Sequence, residues 1–291
     1  MKQTFKLLHL CLLSSITGVS AASAASDDVL SVPDDTIIEQ RRALAGATNG
    51  AGFGPQSPRD INTAEGENQR IFAHAPAFTR MNLCNIHFHE NAEHKGGEFT
   101  TFAGNGNGNG KGYGTGFKYD GDLTDEELEP VNVTVGPSDH GDLVPGDTIE
   151  VHFVHSTAEV TPGPTLGACV SEAITNPQLR VEAVIAVLVN DEDAVSFMEM
   201  TQIEVVDGLY QAVNLPDYLG APVTYAGSTT GPSYNEKASP FQVTWGVRPN
   251  VVKVDIRSVG DWLSDNVFNE DHAHGVRNLV VNPLLLSPIS E

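Results

Sequence analysis

The sequence predicts a mainly β, α+β protein built as one strand-dominated domain, and three observations carry that prediction. Short runs rich in Val, Ile, Phe and Thr recur from about Gly52 onward. Gly, Pro, Asn and Asp punctuate the gaps between them, and nothing repeats at a solenoid period. With 291 residues, 40% of them hydrophobic, the chain also carries enough apolar material for one large core.

The elements follow in order. Lys2 and Lys6 stand ahead of an apolar run that gives way to small Ala and Ser residues, which is the pattern of a cleaved secretory signal over residues 1–25. A membrane anchor is the weaker reading, because the run is well short of the roughly 18 to 20 residues a span needs. The mature chain is therefore expected to start between Ala24 and Asp27 and to be periplasmic or secreted. Residues 26–51 read as a short leader, and residues 52–291 as the single domain. Within it, "MNLCNIHFH", "DTIEVHFVH", "LRVEAVIAVLVN", "FQVTWGV" and "NVVKVDI" read as strands. The tract "GNGNGNGKGYGTG" at 104–116 reads as a flexible inserted loop, without the strand-to-helix setting of a phosphate-binding glycine loop.

Charge and cysteines narrow the class. The signal holds two of the 16 basic residues and none of the 38 acidic ones, which leaves the mature chain at 14 against 38, or −24. Such a surface repels nucleic acid and anionic lipid, so neither a nucleic-acid partner nor membrane insertion of the mature chain is expected. Loss of the signal removes Cys11 and leaves Cys84 and Cys169, an even pair in a compartment where disulfides persist. A Cys84–Cys169 disulfide is the expectation.

Chemistry concentrates in "CNIHFHENAEHKGGE", residues 84–98. Side chains alternate along a strand, so Asn85, His87 and His89 share one face and Cys84, Ile86 and Phe88 the other. Two imidazoles at that spacing can bind one metal ion. A third ligand comes from "DTIEVHFVHST": Ile149, Val151 and Phe153 form an apolar face, which puts Glu150, His152 and Val154 on the other and leaves His155 on the wrong side. Parity thus selects His152, with Glu150 beside it to orient a ring N–H and Asn85 able to do the same for His87. Three histidines without a fourth protein ligand are the pattern of a catalytic Zn2+, one per chain, whose open position carries a water that ionises near neutral pH.

These residues resemble the alpha-class carbonic anhydrases and, more closely, their delta-class relatives. "QSPRDI" at 56–61 is similar to the family's N-terminal Gln-Ser-Pro segment, and "HFHENAEH" to its His-x-His followed by Glu-His. "EVHFVH" resembles the third-ligand strand, "EAVIAVLV" the strand behind the substrate pocket, and "YAGSTTGP" with "VTWGV" the gatekeeper-threonine segment and a pocket tryptophan. The resemblance implies a central, mostly antiparallel twisted sheet with short peripheral helices. It implies zinc on His87, His89 and His152, reversible hydration of CO2 to bicarbonate, and Glu93 accepting a hydrogen bond from the gatekeeper. Counting from Ser228 makes that gatekeeper Thr230, and counting from the threonine pair makes it Thr229. Val154, Val184 and Trp245 would form the apolar wall for CO2. The proton carrier stays open among His74, His140, His272 and His274, and a homodimer stays open as well.

Two other readings compete. A cupin metalloenzyme would use His87, His89 and Glu93 together, but the interval from Pro145 to His152 is too long for its second motif. An exported, non-catalytic zinc-binding module of the same family would retain the ligands without activity.

Overall fold

A computed structural model of the chain describes residues 32–36, 38–39, 42–43, 60–63, 73–228 and 241–276. The expected signal, the Gln-Ser-Pro stretch and the threonine pair lie outside the described residues. Among the described residues twelve strands run in order: β1 (Asn82–Glu90), β2 (Thr101–Asn105), β3 (Thr115–Lys118), β4 (Val135–Ser138), β5 (Gly141–Leu143) and β6 (Thr148–Ser156) come first. They are followed by β7 (Leu179–Val189), β8 (Ile203–Val206), β9 (Leu209–Ala212), β10 (Val223–Ser228), β11 (Gln242–Val247) and β12 (Val252–Asp255). Among the described residues, α1 (Phe197–Met200) and α2 (Ile256–Ser264) are short helices, and residues 34–36, 38–39 and 42–43 are helical as well. The protein is thus mostly β.

Six strands form the central sheet in the order β1-β6-β7-β11-β10, with β12 also on β7. Pairing is antiparallel from β1 through β6 to β7 and between β10 and β11, and parallel where β7 meets β11 and β12. β7 is long enough to serve both parallel neighbours: Leu179–Ala183 pair with β11 and Ala186–Val189 with β12. A strand enclosed on both faces has no wet side, which is why "VEAVIAVLV" reads as a near-continuous apolar run rather than an alternation. The other strands form three hairpins, β2–β3, β4–β5 and β8–β9.

Each face of the sheet has its own core. On one lie Ile86, Phe88, Ile149, Val151, Phe153 and Val184, closed over by α1 and α2. Helix α2 starts at Asp255, whose carboxylate accepts from the Arg257 N–H, and it turns Ile256, Val259, Trp262 and Leu263 inward at helical spacing. On the other face lie Cys84, Val154, Cys169, Val181, Ala183, Tyr225 and Trp245.

The sequence expectation fails at Cys84. Register slips between Leu83 and Asn85, so β1 carries one extra residue, Cys84, in a β-bulge opposite His155 and Val154. The bulge reverses parity, so that Leu83 joins Ile86 and Phe88 while Cys84 joins Val154 on the other side. There it forms the expected disulfide with Cys169, across 85 residues of sequence. A loop closure of that size contributes about 4 to 5 kcal/mol in the chain-entropy picture. The inserted glycine tract packs against the segment 273–276. Val276 donates its N–H to the Gly112 carbonyl, and the Tyr113 hydroxyl donates to the Ala273 carbonyl.

Candidate metal centre

His87 and His152 are direct cross-strand partners on β1 and β6, and His89 follows two residues on, on the same face. Ring centroids lie 5.1 Å apart for His87–His152, 4.8 Å for His89–His152 and 5.4 Å for His87–His89. One ring nitrogen from each of the three falls within 4.8 Å of the others.

The hydrogen bonds decide which nitrogens those are. Asn85 donates its amide N–H to the Gly163 carbonyl at 3.1 Å, which turns its oxygen toward His87 Nδ1 at 2.6 Å. His89 donates from Nδ1 to the Gly275 carbonyl at 3.0 Å. His152 donates from Nε2 to Glu150 Oε1 at 2.9 Å. Each ring therefore carries its proton on the outer nitrogen. Nε2 of His87, Nε2 of His89 and Nδ1 of His152 are left as lone-pair donors turned toward one another. His87 Nε2 and His152 Nδ1 stand 3.3 Å apart. That donor set fits a divalent cation at their common point, and it has the composition of an open three-histidine site.

Burial favours the neutral form of the two β1 rings. It pushes His89 down to about 4, with help from the neighbouring His152. Burial, followed by His152, His89 and His274, also holds His87 well below its ordinary value. At neutral pH neither ring must lose a proton before it can act as a ligand.

Glu150 is the hub beneath the trio. Burial pushes its carboxyl up, but His94 and His152 outweigh that and hold it well below the usual carboxylate range. Oε1 accepts from His94 Nδ1 at 2.8 Å and from His152; Oε2 accepts from the backbone N–H groups of Glu93 and His94 at 2.6 and 3.2 Å. The path that brings these groups back over β6 begins at Asn91. This residue sits at φ 66°, in the left-handed region that asparagine tolerates, and donates its N–H to the Thr148 carbonyl. His94 is fully buried, and its Nε2 accepts from the Tyr225 hydroxyl. Glu93 approaches His152 from the Nε2 side, at 3.8 Å, away from the common point of the trio.

Val154 and Trp245 lie on the histidine face, with the Trp245 ring 5.0 Å from His152 and its buried N–H without a partner among the described residues. Val184 does not join them. It pairs with Val151 and belongs to the opposite core, and the β7 residue opposite His152 is Ala183. The one-residue offset arises because β7 is apolar on both faces from Ala183 to Val189, so that run carries no parity signal. Thr229 and Thr230 lie outside the described residues. Of the candidate proton carriers, His274 comes within 5.7 Å of the His87 ring and 5.8 Å of His89, partly exposed and paired with Glu270. The His272 ring lies 6.0 Å from that of His274. His140 stacks on Tyr113, and His74 is exposed.

Two participants escape the sequence reading. Tyr225 carries no local signal of its role, because only the fold brings it to His94. Gly275 acts through its carbonyl, and a side chain there would put Cβ 2.4 Å from the Lys111 carbonyl oxygen. The cluster of "HAHGV" at 272–276 was the available hint.

Three imidazoles converging on one point of a largely buried sheet face define a histidine-rich potential metal site in a mostly β protein. The family model described as delta carbonic anhydrase matches residues 78–258, and the chain belongs to that family of carbonic anhydrases. No curated protein matches the sequence. Among solved structures it is similar to the Photobacterium profundum alpha-carbonic anhydrase, at 17% identity over 82% of this chain and 93% of that one, with a TM-score of 0.25. It is also similar to the alpha-carbonic anhydrase of Thermovibrio ammonificans in complex with sulfanilamide, at 15% identity over 76% and 84%, TM-score 0.23. A third is a hyperthermostable carbonic anhydrase from an active hydrothermal vent chimney, at 16% identity over 86% and 91%, TM-score 0.26.

Proposed function

We propose that the chain hydrates CO2 reversibly to bicarbonate and a proton, at a zinc ion held by His87 Nε2, His89 Nε2 and His152 Nδ1. The observation that carries this reading is the division of labour on each ring: the outer nitrogen donates to a fixed acceptor, and the other turns to a point shared by all three. When bound, zinc would acidify a water to near neutral pH and supply a nucleophile for CO2.

The chain's own residues do the rest. Asn85, the Gly275 carbonyl and Glu150 hold the tautomers that make the three nitrogens donors. Val154 and Trp245 offer an apolar wall against which CO2 can rest. Glu93 would accept the hydroxyl proton of Thr230, or of Thr229 in the other count, so that the threonine oxygen accepts in turn from the attacking group and orients it. The product proton would leave past His274 and His272 toward solvent. The buried disulfide is compatible with an exported, periplasmic or secreted enzyme. A cupin-type four-ligand set is not favoured, because Glu93 approaches the opposite nitrogen of His152.

Stopped-flow CO2 hydration by the mature chain and by His152→Ala tests the proposal. The parent should hydrate CO2 in a sulfonamide-sensitive manner and the variant should fall to the buffer rate with loss of zinc. Zinc bound to the parent without such activity would favour a non-catalytic module and overturn the catalytic reading.

A further inference from the structure

The disulfide and the metal centre meet at one residue boundary. Cys84 is the bulged residue of β1, and the next residue is Asn85, the amide that fixes His87. Opposite them runs the segment 157–170, which leaves the end of β6 and returns to the sheet at Cys169. Two hydrogen bonds tie its Gly163 to this boundary. The Gly163 N–H donates to the Cys84 carbonyl at 3.0 Å, and the Gly163 carbonyl accepts from the Asn85 amide at 3.1 Å. At its far end Ser156 donates its hydroxyl to the Cys169 carbonyl at 2.7 Å, and Val160 and Leu166 pack onto the histidine-face core. Asn85 is 1% exposed, so no water can replace the Gly163 carbonyl as its partner without rearrangement.

An amide can present either its oxygen or its NH2 to a neighbour, and only the oxygen accepts from His87 Nδ1. The Gly163 carbonyl makes that choice, because it accepts from the NH2 end. We infer that the Cys84–Cys169 disulfide positions the metal site, by holding the 157–170 loop so that Gly163 fixes Asn85 and Asn85 fixes the His87 tautomer. Bulges re-aim the side chains that follow them, and here a covalent bond clamps the bulge one residue before the residue that is aimed. This inference rests on the proposed zinc site and names Gly163, Asn85 and the disulfide as its positioning elements.

A double-mutant cycle separates this role from general stabilisation. The parent, the Cys84→Ala/Cys169→Ala pair, Asn85→Ala and the triple variant would each be loaded with zinc, and Kd read by chelator competition alongside thermal melting. Losing the disulfide should weaken zinc binding on the order of 10-fold in the parent background, as expected for an outer partner of a ligand. In the Asn85→Ala background it should have less than about a 2-fold effect, while the melting temperature falls equally in both. An unchanged Kd, or an equal weakening in both backgrounds, overturns the inference. A parent that binds no zinc overturns the proposed function and this inference with it.

Should the cysteine variants not fold, the metal-free wild type provides the second test. A water-soluble phosphine takes the disulfide to two thiols and is itself oxidised to the phosphine oxide with oxygen from water. Ring 15N shifts of His87 should then lose the single Nδ1–H tautomer on reduction. A tautomer that survives reduction of the disulfide contradicts the inference.

Discussion

The two faces of the central sheet draw on the same strands and do different work. From β1 one face takes Ile86 and Phe88, and from β6 Ile149, Val151 and Phe153; all are buried against helices and hairpins and need only shape and apolar surface. The other face takes Asn85, His87 and His89, then Glu150, His152 and Val154, where nearly every polar atom has an assigned partner. Both faces are largely buried, His87 alone of the three histidines being partly exposed, but the consequence of burial differs. On the apolar face it stabilises. On the histidine face it pushes ring pKa values down and makes each hydrogen-bond acceptor decisive. The difference teaches that effects on stability and on chemistry should separate by face, one residue apart.

The strongest break comes from His152→Ala, which removes one of three converging donors. Zinc occupancy measured by elemental analysis should fall to background, and CO2 hydration with it. Phe88→Ala acts on the adjacent face and should cost about 3 to 5 kcal/mol in denaturant melts, as large-to-small core changes do. Protein that stays folded should still hold one zinc per chain. If Phe88→Ala abolished metal binding in folded protein, the separation of faces would be lost. Glu150→Gln is finer: it keeps the volume and removes the charge that four donors share. Zinc affinity by chelator competition should drop about 10- to 100-fold.

The smallest effect sharpens the comparison at His155, which sits on β6 but off the metal face. Burial pushes its pKa to about 3, with Arg180 and Arg248 adding repulsion against the proton. Above about pH 6.5 the ring is neutral folded and unfolded and contributes nothing to pH dependence. Below that value the unfolded chain takes up a proton that the folded state resists until about pH 3. Stability should therefore fall across that window, by up to about 1.4 kcal/mol per pH unit. His155→Asn should flatten the slope of unfolding free energy against pH, read from denaturant melts, by up to that amount, with neutral-pH zinc affinity unchanged.

Much of this was legible in the sequence because alternation in β1 and β6 is clean: apolar residues mark one face and the chemistry lies on the other. Parity selected His152 over His155, and the structure brings His152 beside His87 and His89 while His155 turns away. Where parity is silent or broken, the reading failed. β7 is an unbroken apolar run from Ala183 to Val189, so nothing in that run distinguishes Val184 from Ala183. Cys84 sits in a bulge that no local pattern announces. Gly163 and Gly275 contribute carbonyls, and a backbone atom leaves no mark on residue identity beyond the absence of a side chain. No helix among the described residues is long and apolar enough to cross a membrane.

The central claim is that the histidine face is a zinc site for CO2 hydration, and titration of metal-depleted chain with Zn2+ while following hydration tests it most directly. The account predicts activity near zero without metal, rising linearly and levelling at one equivalent per chain. Undiminished hydration by the metal-free chain, or a fully loaded chain that does not hydrate CO2, would contradict it.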